Sequence, residues 1–253
     1  MKDLRHICLD KDGTLIDVHV YWSDIIQKRV ARILKTFDIP SVHLAAIALA
    51  MGVDIERQRI IPAGPVGYKP RTVVIKAAIE AMEKLGYRCT PEVLSELFVA
   101  VDLEMQKLKD YNIRVLKNVE HTLKKLQEGG FKISIYSSDR TENLHQIFKK
   151  LEIDQYFEAL VGGDQVKQPK PHPEGFFLAC QRVDIPVSHS IYVGDTGDDM
   201  LMAQKAKALA GYGLTSGLCS REELLKETPH VFDGLNEVAE VLLQGRKKCT
   251  TPP

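Results

Sequence analysis

At 253 residues, the chain is long enough for one large domain or two small ones, each with a real hydrophobic interior. Hydrophobic residues make up 44% and charged residues 27%, the mixture of an ordinary globular protein. Thirty-four basic side chains balance thirty-four acidic ones, so no basic excess points to nucleic acid or an anionic membrane, and no acidic tail is present.

The stretch MKDLRHICLDKDGTL carries charges inside and beside a short apolar run, which is not the pattern of a secretory signal. The longest apolar-looking stretch, Val42 to Val53, is about half the length a membrane helix needs. Five cysteines (Cys8, Cys89, Cys180, Cys219 and Cys249) are odd in number, scattered and never in a CxxC pair. A disulfide framework or zinc knot is not expected, and a cytoplasmic location is.

The first predicted strand is Leu4 to Leu9, followed at once by the turn-prone KDGT. Between Tyr21 and Leu108 only helical patterning is visible. Ile25, Ile26, Val30, Ile33, Leu34 and Phe37 recur at helical spacing, as do Val73, Val74, Ala77, Ala78, Ala81 and Leu85. Thr90-Pro91 starts a third helix carrying Val93, Leu94, Leu97, Phe98 and Val101. From Val119 the rhythm changes. A helix to Leu126 closes at Gly129-Gly130, and a buried strand, Phe131 to Tyr136, follows. Then come a helix at Asn143–Leu151, a strand at Ala159–Val161, a helix at Pro173–Val183 and a strand at Ser190–Val193. A helix at Asp199–Lys207, a strand at Ala208–Ala210 and a helix at Leu235–Leu243 complete the pattern.

Strands alternating with helices call for an α/β fold: a doubly wound, Rossmann-like parallel sheet with helices on both faces. The simplest arrangement joins residues 1–16 to residues 113–246 as the core and expels residues 17–112 as an all-helical cap. The crossings near Asp17–Val20 and Tyr111–Arg114 would act as a hinge, and residues 247–253 would be a polar tail.

Ligands of open parallel sheets bind beyond the carboxyl ends of the strands. Asp10 and Asp12 follow the first strand, Ser137 and Ser138 the Phe131 strand, and Asp195 and Asp199 the Ser190 strand. Lys170 lies in the loop QPKPHP before a helix. Two carboxylate pairs, a hydroxyl and a lysine are thus expected at one sheet edge.

These residues carry a resemblance. LDKDGTL, residues 9–15, resembles the first motif of the haloacid dehalogenase superfamily, in its phosphatase branch. Ser137 matches the second-motif hydroxyl, Lys170 the third-motif lysine in a KPxP setting, and GDTGDD, residues 194–199, the fourth motif. All four stand in the family's order, and the insert resembles the cap of phosphoglycolate-phosphatase-like members. The resemblance implies hydrolysis of a small-molecule phosphate monoester through an aspartyl-phosphate. Asp10 would be the nucleophile and Asp12 the acid and base. Ser137 would bind a phosphoryl oxygen, and Lys170 would offset charge. Lys11, Asp12, Ser137, Ser138 and Lys170 are assigned to the substrate phosphate. Mg2+ would be held by Asp10, Asp12 through its carbonyl, Asp195 and Asp199, because magnesium takes hard oxygen ligands and keeps waters.

Asp12 argues against a dehalogenase, since a departing halide needs no proton. A phosphomutase on the same core is the alternative, and a non-catalytic phospho-ligand binding protein is the alternative from another class. The EF-hand pattern fails because the glycine falls at position four rather than six. Asp195-Thr-Gly197 copies the aspartic-protease tripeptide but follows a strand and opens a helix. Asp198 reads as a solvated residue at a helix start, His172 as a shaper of its loop, and Tyr21 and Trp22 as packing residues. The segment from Pro62 to Thr72 is a long loop between helices. In it, Lys69 or Arg71 would reach an anionic group of the substrate, or simply be solvated.

Overall fold

The computed structural model describes residues 4–62, 64–67, 69–108 and 112–250. It opens with β1 (His6–Leu9) and continues through α1 (Val18–Phe37), α2 (Leu44–Ala50), β2 (Val53–Asp54), β3 (Arg59–Ile60), α3 (Arg71–Lys84) and α4 (Pro91–Leu108). Next come α5 (Val119–Glu128), β4 (Lys132–Tyr136), α6 (Thr141–Lys150), β5 (Ala159–Val161) and α7 (Glu174–Arg182). The last elements are β6 (Ser190–Gly194), α8 (Gly197–Lys205), β7 (Ala210–Leu214), α9 (Arg221–Leu224), β8 (Val231–Phe232) and α10 (Leu235–Thr250). The chain divides into two compact units, one of Met1–Asp17 with Val115–Pro253 and one of Val18–Arg114.

The first unit is built on a six-stranded sheet in the order β5-β4-β1-β6-β7-β8, with every pair parallel. The chain winds outward from β1 to β5, returns beside β1 and winds the other way, which is the doubly wound arrangement. Parallel strands require crossovers, and their helices bury the sheet, so the strands read as apolar runs rather than alternations. All four residues of β1 and all five of β6 are buried. Cys8, Tyr136, Val161 and Tyr192 form one core cluster with Phe176 and Ala179 of α7 and Met202 and Ala203 of α8. Within it the Phe176 and Tyr192 rings meet edge to face at 5.3 Å, and the Tyr192 hydroxyl donates to the Tyr136 carbonyl at 2.6 Å. At the opposite end of the strands, the buried His6 ring bridges three strands. Its Nδ1 lies 2.9 Å from Ser190 Oγ and its Nε2 2.7 Å from Ser134 Oγ.

The second unit packs α1 against α2 and α4, and α3 against α2 and α4. Its α1 buries Ile25, Ile26, Val30, Ile33 and Leu34 of the stripe expected from the spacing, while Phe37 is half-buried. The expectation of helices alone needs one correction. β2 and β3 form a two-residue antiparallel ladder, Val53 opposite Ile60 and Asp54 opposite Arg59. Two residues are too few to show an alternation, and the Asp54 carboxylate makes the turn by accepting from the Arg57 N–H at 3.0 Å. The apolar run from Val42 holds α2, which buries Ile47 and Ala48.

Other boundaries shift. β7 lies at Ala210–Leu214 rather than Ala208–Ala210, because Gly211 and Gly213 weaken the strand signal. α9 and β8 are too short to carry a period. α10 continues past Leu243 to Thr250, and residues 251–253 of the expected tail lie outside the described residues, as does Tyr111 of the expected crossing.

Candidate active site

The sheet order reverses between β1 and β6, the point at which open α/β sheets bind their ligands. Asp10 is the first residue beyond β1, held in the ladder by its N–H to the Val193 carbonyl at 2.9 Å. The chain then turns tightly: Leu15 N–H donates to the Lys11 carbonyl at 2.9 Å, and Gly13 N–H to the Ile16 carbonyl at 2.8 Å. Gly13 has φ +76°, and a Cβ there would stand 2.3 Å from Asp195 Oδ2. Backbone conformation and close approach both require glycine.

Lys170 reaches this point from the loop before α7. Its Nζ donates to Asp10 Oδ1 at 2.5 Å and stands 2.8 Å from Asp199 Oδ1. The ammonium also lies over the Tyr136 and Tyr192 rings, 5.3 and 5.2 Å from their centroids. Burial works against its charge, but the Asp10 and Asp199 carboxylates more than offset that and hold its pKa well above the usual lysine value. Asp10 is pushed up to about 6 by burial, with Asp199 and Asp12 adding to the rise and Lys170 opposing it.

Asp195, the residue after β6, is raised well above the usual carboxylate range by burial and then by the charges of Asp10 and Asp199. Its Oδ2 accepts from the Leu218 N–H at 2.8 Å. Ser216 pins the same loop to the first one by donating to the Gly13 carbonyl at 2.7 Å. Asp199 sits in the first turn of α8, where Thr196 and Asp199 form a capping box. The Thr196 hydroxyl donates to Asp199 Oδ2 at 2.6 Å and the Thr196 N–H does so at 3.1 Å.

Ser137 follows β4 and is buried, and its Oγ accepts from the Asp139 N–H at 3.2 Å, which leaves the hydroxyl proton to donate elsewhere. Ser138 is exposed beside it. The structure also places the Lys11 ammonium: it is 1% exposed, 3.0 Å from Asp12 Oδ2 and 3.2 Å from Asp139 Oδ2. The other Asp12 oxygen is buried without a hydrogen-bond partner among the described residues. Asp198 is exposed, and His172 Nδ1 accepts from the Glu174 N–H at 3.3 Å at the start of α7.

Asp10, Asp12, Ser137, Lys170, Asp195 and Asp199 thus all stand at the carboxyl ends of β1, β4 and β6 or in the loop that reaches them. The residues missed in the sequence are Asp139, Thr196 and the Ser216–Leu218 loop. Thr196-x-x-Asp199 was findable as a capping-box spacing; the others carry no pattern. Among the described residues no group of three or more His, Cys, Asp or Glu side chains is gathered as a metal site. The donor chemistry nevertheless fits a hard cation. Asp10 and Asp195 are buried carboxylates, whose oxygens are the hard donors such a cation takes, and a cation that keeps several waters needs few protein ligands.

The model of the haloacid dehalogenase-like hydrolase family matches residues 4–207, and the chain belongs to that family. Among curated relatives, the phosphoglycolate phosphatases of Salmonella typhi and Escherichia coli K12 are each 24% identical to it. The first covers 96% of this chain and 94% of its own, and the second 95% and 93%. A solved structure from Haemophilus somnus, described as a predicted phosphoglycolate phosphatase, aligns at TM-score 0.72 and 20% identity over 96% of this chain and 99% of its own. One from Thermotoga maritima, assigned as a beta-phosphoglucomutase, aligns at 0.67 and 19% over 95% and 99%. With family and relatives in agreement, the chain is an enzyme of the phosphatase class.

Proposed function

We propose that the protein hydrolyses a small-molecule phosphate monoester, in the manner of a phosphoglycolate phosphatase, with magnesium and through an aspartyl-phosphate on Asp10. The observation that carries this reading is the Asp10–Lys170–Asp199 ion-paired group at the point where the sheet reverses, with Asp12 two residues along the same turn.

Bound magnesium would offset phosphoryl charge as a carboxylate approaches; Asp10, Asp195 and the Asp12 carbonyl would hold it, with Asp199 contributing directly or through water. The Asp10 carboxylate attacks phosphorus, the ester P–O bond breaks, and the leaving oxygen takes its proton from Asp12. Asp12 then removes a proton from water as its oxygen attacks phosphorus, which releases phosphate and regenerates Asp10. The Ser137 hydroxyl and the backbone beside Ser138 donate to phosphoryl oxygens. Lys170 balances the charge on Asp10 and on the transferring group. Lys11, paired with Asp12, acts through that residue rather than by reaching the phosphate with its ammonium.

A phosphomutase reading draws on the description of the Thermotoga maritima neighbour, which would mean transfer to an acceptor other than water. Phosphate release from a panel of small phosphomonoesters, with and without magnesium, tests the main reading. Magnesium-dependent release supports it, and transfer between two positions of a sugar phosphate without release sinks it.

A further inference from the structure

The Val18–Arg114 unit contains a cavity of about 310 Å³ that the chemistry above does not use. Among the described residues it is lined by three cations, Arg29, Lys69 and Arg71, together with Trp22, Val66 and Val74, and by no acidic side chain. Among the described residues, Asp102 is the carboxylate paired with these cations. Arg29 Nη2 donates to both oxygens of Asp102, at 2.8 and 3.1 Å, and Arg71 Nη2 donates to Asp102 Oδ2 at 2.6 Å. Asp102 answers two guanidiniums with a single charge, and Lys69 adds a third cation, so among the described residues the cations outnumber the carboxylates.

Arg29 is 4% exposed, and its guanidinium lies over the Phe98 ring, 4.7 Å from the centroid. Its Nε–H is buried with no acceptor among the described residues. Buried donors are nearly always satisfied, so an arginine kept inside with one donor unmet marks a place where an acceptor arrives from outside. The volume is at the lower end for ligand sites, and the wall combines convergent donors with an aromatic ring and two aliphatic side chains.

We propose that this cavity binds a small organic carboxylate. The carboxylate group meets the planar guanidiniums of Arg29 and Arg71, which match its geometry, and the Lys69 ammonium, and its compact apolar body lies against Trp22, Val66 and Val74. The ligand is a separate small carboxylate held within this unit, and the proposal is independent of how the phosphate ester is bound.

Calorimetric titration of the full chain with malonate, and with uncharged malonamide, tests the proposal. Malonate is expected to bind saturably, and malonamide to give no saturable heat. In Lys69→Met/Arg71→Met, where both substituted side chains are exposed, the malonate dissociation constant is expected to rise at least about tenfold, the scale of one lost charged contact. Malonate binding that is absent from the wild type, or unchanged in the double variant, overturns the proposal. The titration needs no turnover, so its result stands even if no ester is hydrolysed.

Discussion

Gly217→Ala is expected to cripple the enzyme without touching any reacting atom. Gly217 has a φ that any residue adopts, so the effect of a methyl there is purely steric. A Cβ at this position would stand 1.9 Å from Asp195 Oδ2, where real Cβ atoms keep at least 3.0 Å, leaving it about 1.1 Å short of room. The backbone cannot easily withdraw. Ser216 is tied to the Gly13 carbonyl on one side, and the Leu218 N–H to Asp195 on the other, so retreat breaks both bonds. The Asp195 carboxylate must therefore move by about an ångström, and a misplacement of that size costs on the order of a hundredfold in rate. The assay is kcat/KM for phosphate release from the best ester, with a magnesium titration alongside, in which the half-saturating concentration should rise. Gly197→Ala is the control, since among the described residues the nearest atom its Cβ would meet across the fold is Glu227 Cγ at 3.8 Å. A Gly217→Ala enzyme within about threefold of wild type would refute the claim that this loop positions Asp195.

Other consequences are open to measurement. His6 has its pKa lowered to about 4 by burial and then by Lys132, against 6.5 when free. Its neutral form is therefore the folded one: the stability this contributes is complete above pH 6.5 and is lost as the pH falls toward 4. At pH 5 the loss is about 2 kcal/mol, to be read by far-UV circular dichroism in urea as the difference between wild type and His6→Asn. A difference that does not change with pH would contradict it. Lys11→Met removes a buried ammonium from between two carboxylates. Breaking a fully buried pair costs about 3–5 kcal/mol, and here Asp12 and Asp139 are 31% and 20% exposed, so about 2 kcal/mol is expected. Thermal denaturation measures it, and adding Asp139→Asn should restore part of the loss.

The core was legible because its signals are local. Asp10 and Asp12 adjoin an apolar run, and Asp195 and Asp199 sit where a strand passes into a helix, so a parallel sheet alone brings them together. Lys170 and Asp10 are 160 positions apart, and the sheet rule placed them at one edge without any knowledge of their contact. What stayed hidden depends on three-dimensional neighbours. Nothing in the sequence marks Asp139 as the partner of Lys11, since that pairing exists only once β1 and β4 lie side by side. Gly217 looks like any turn glycine until the Asp195 carboxylate is found against it. The β2–β3 ladder spans a single two-residue period, too short for an alternation to announce it.

The central claim is that Asp10 carries the phosphoryl group. Its most direct test is phosphate release by wild type and Asp10→Asn, each with and without magnesium, on the ester that the wild type turns over best. The account expects magnesium-dependent release by the wild type and none by the variant, with the circular dichroism of the variant unchanged. Release by a cleanly prepared Asp10→Asn enzyme at the wild-type rate would contradict it.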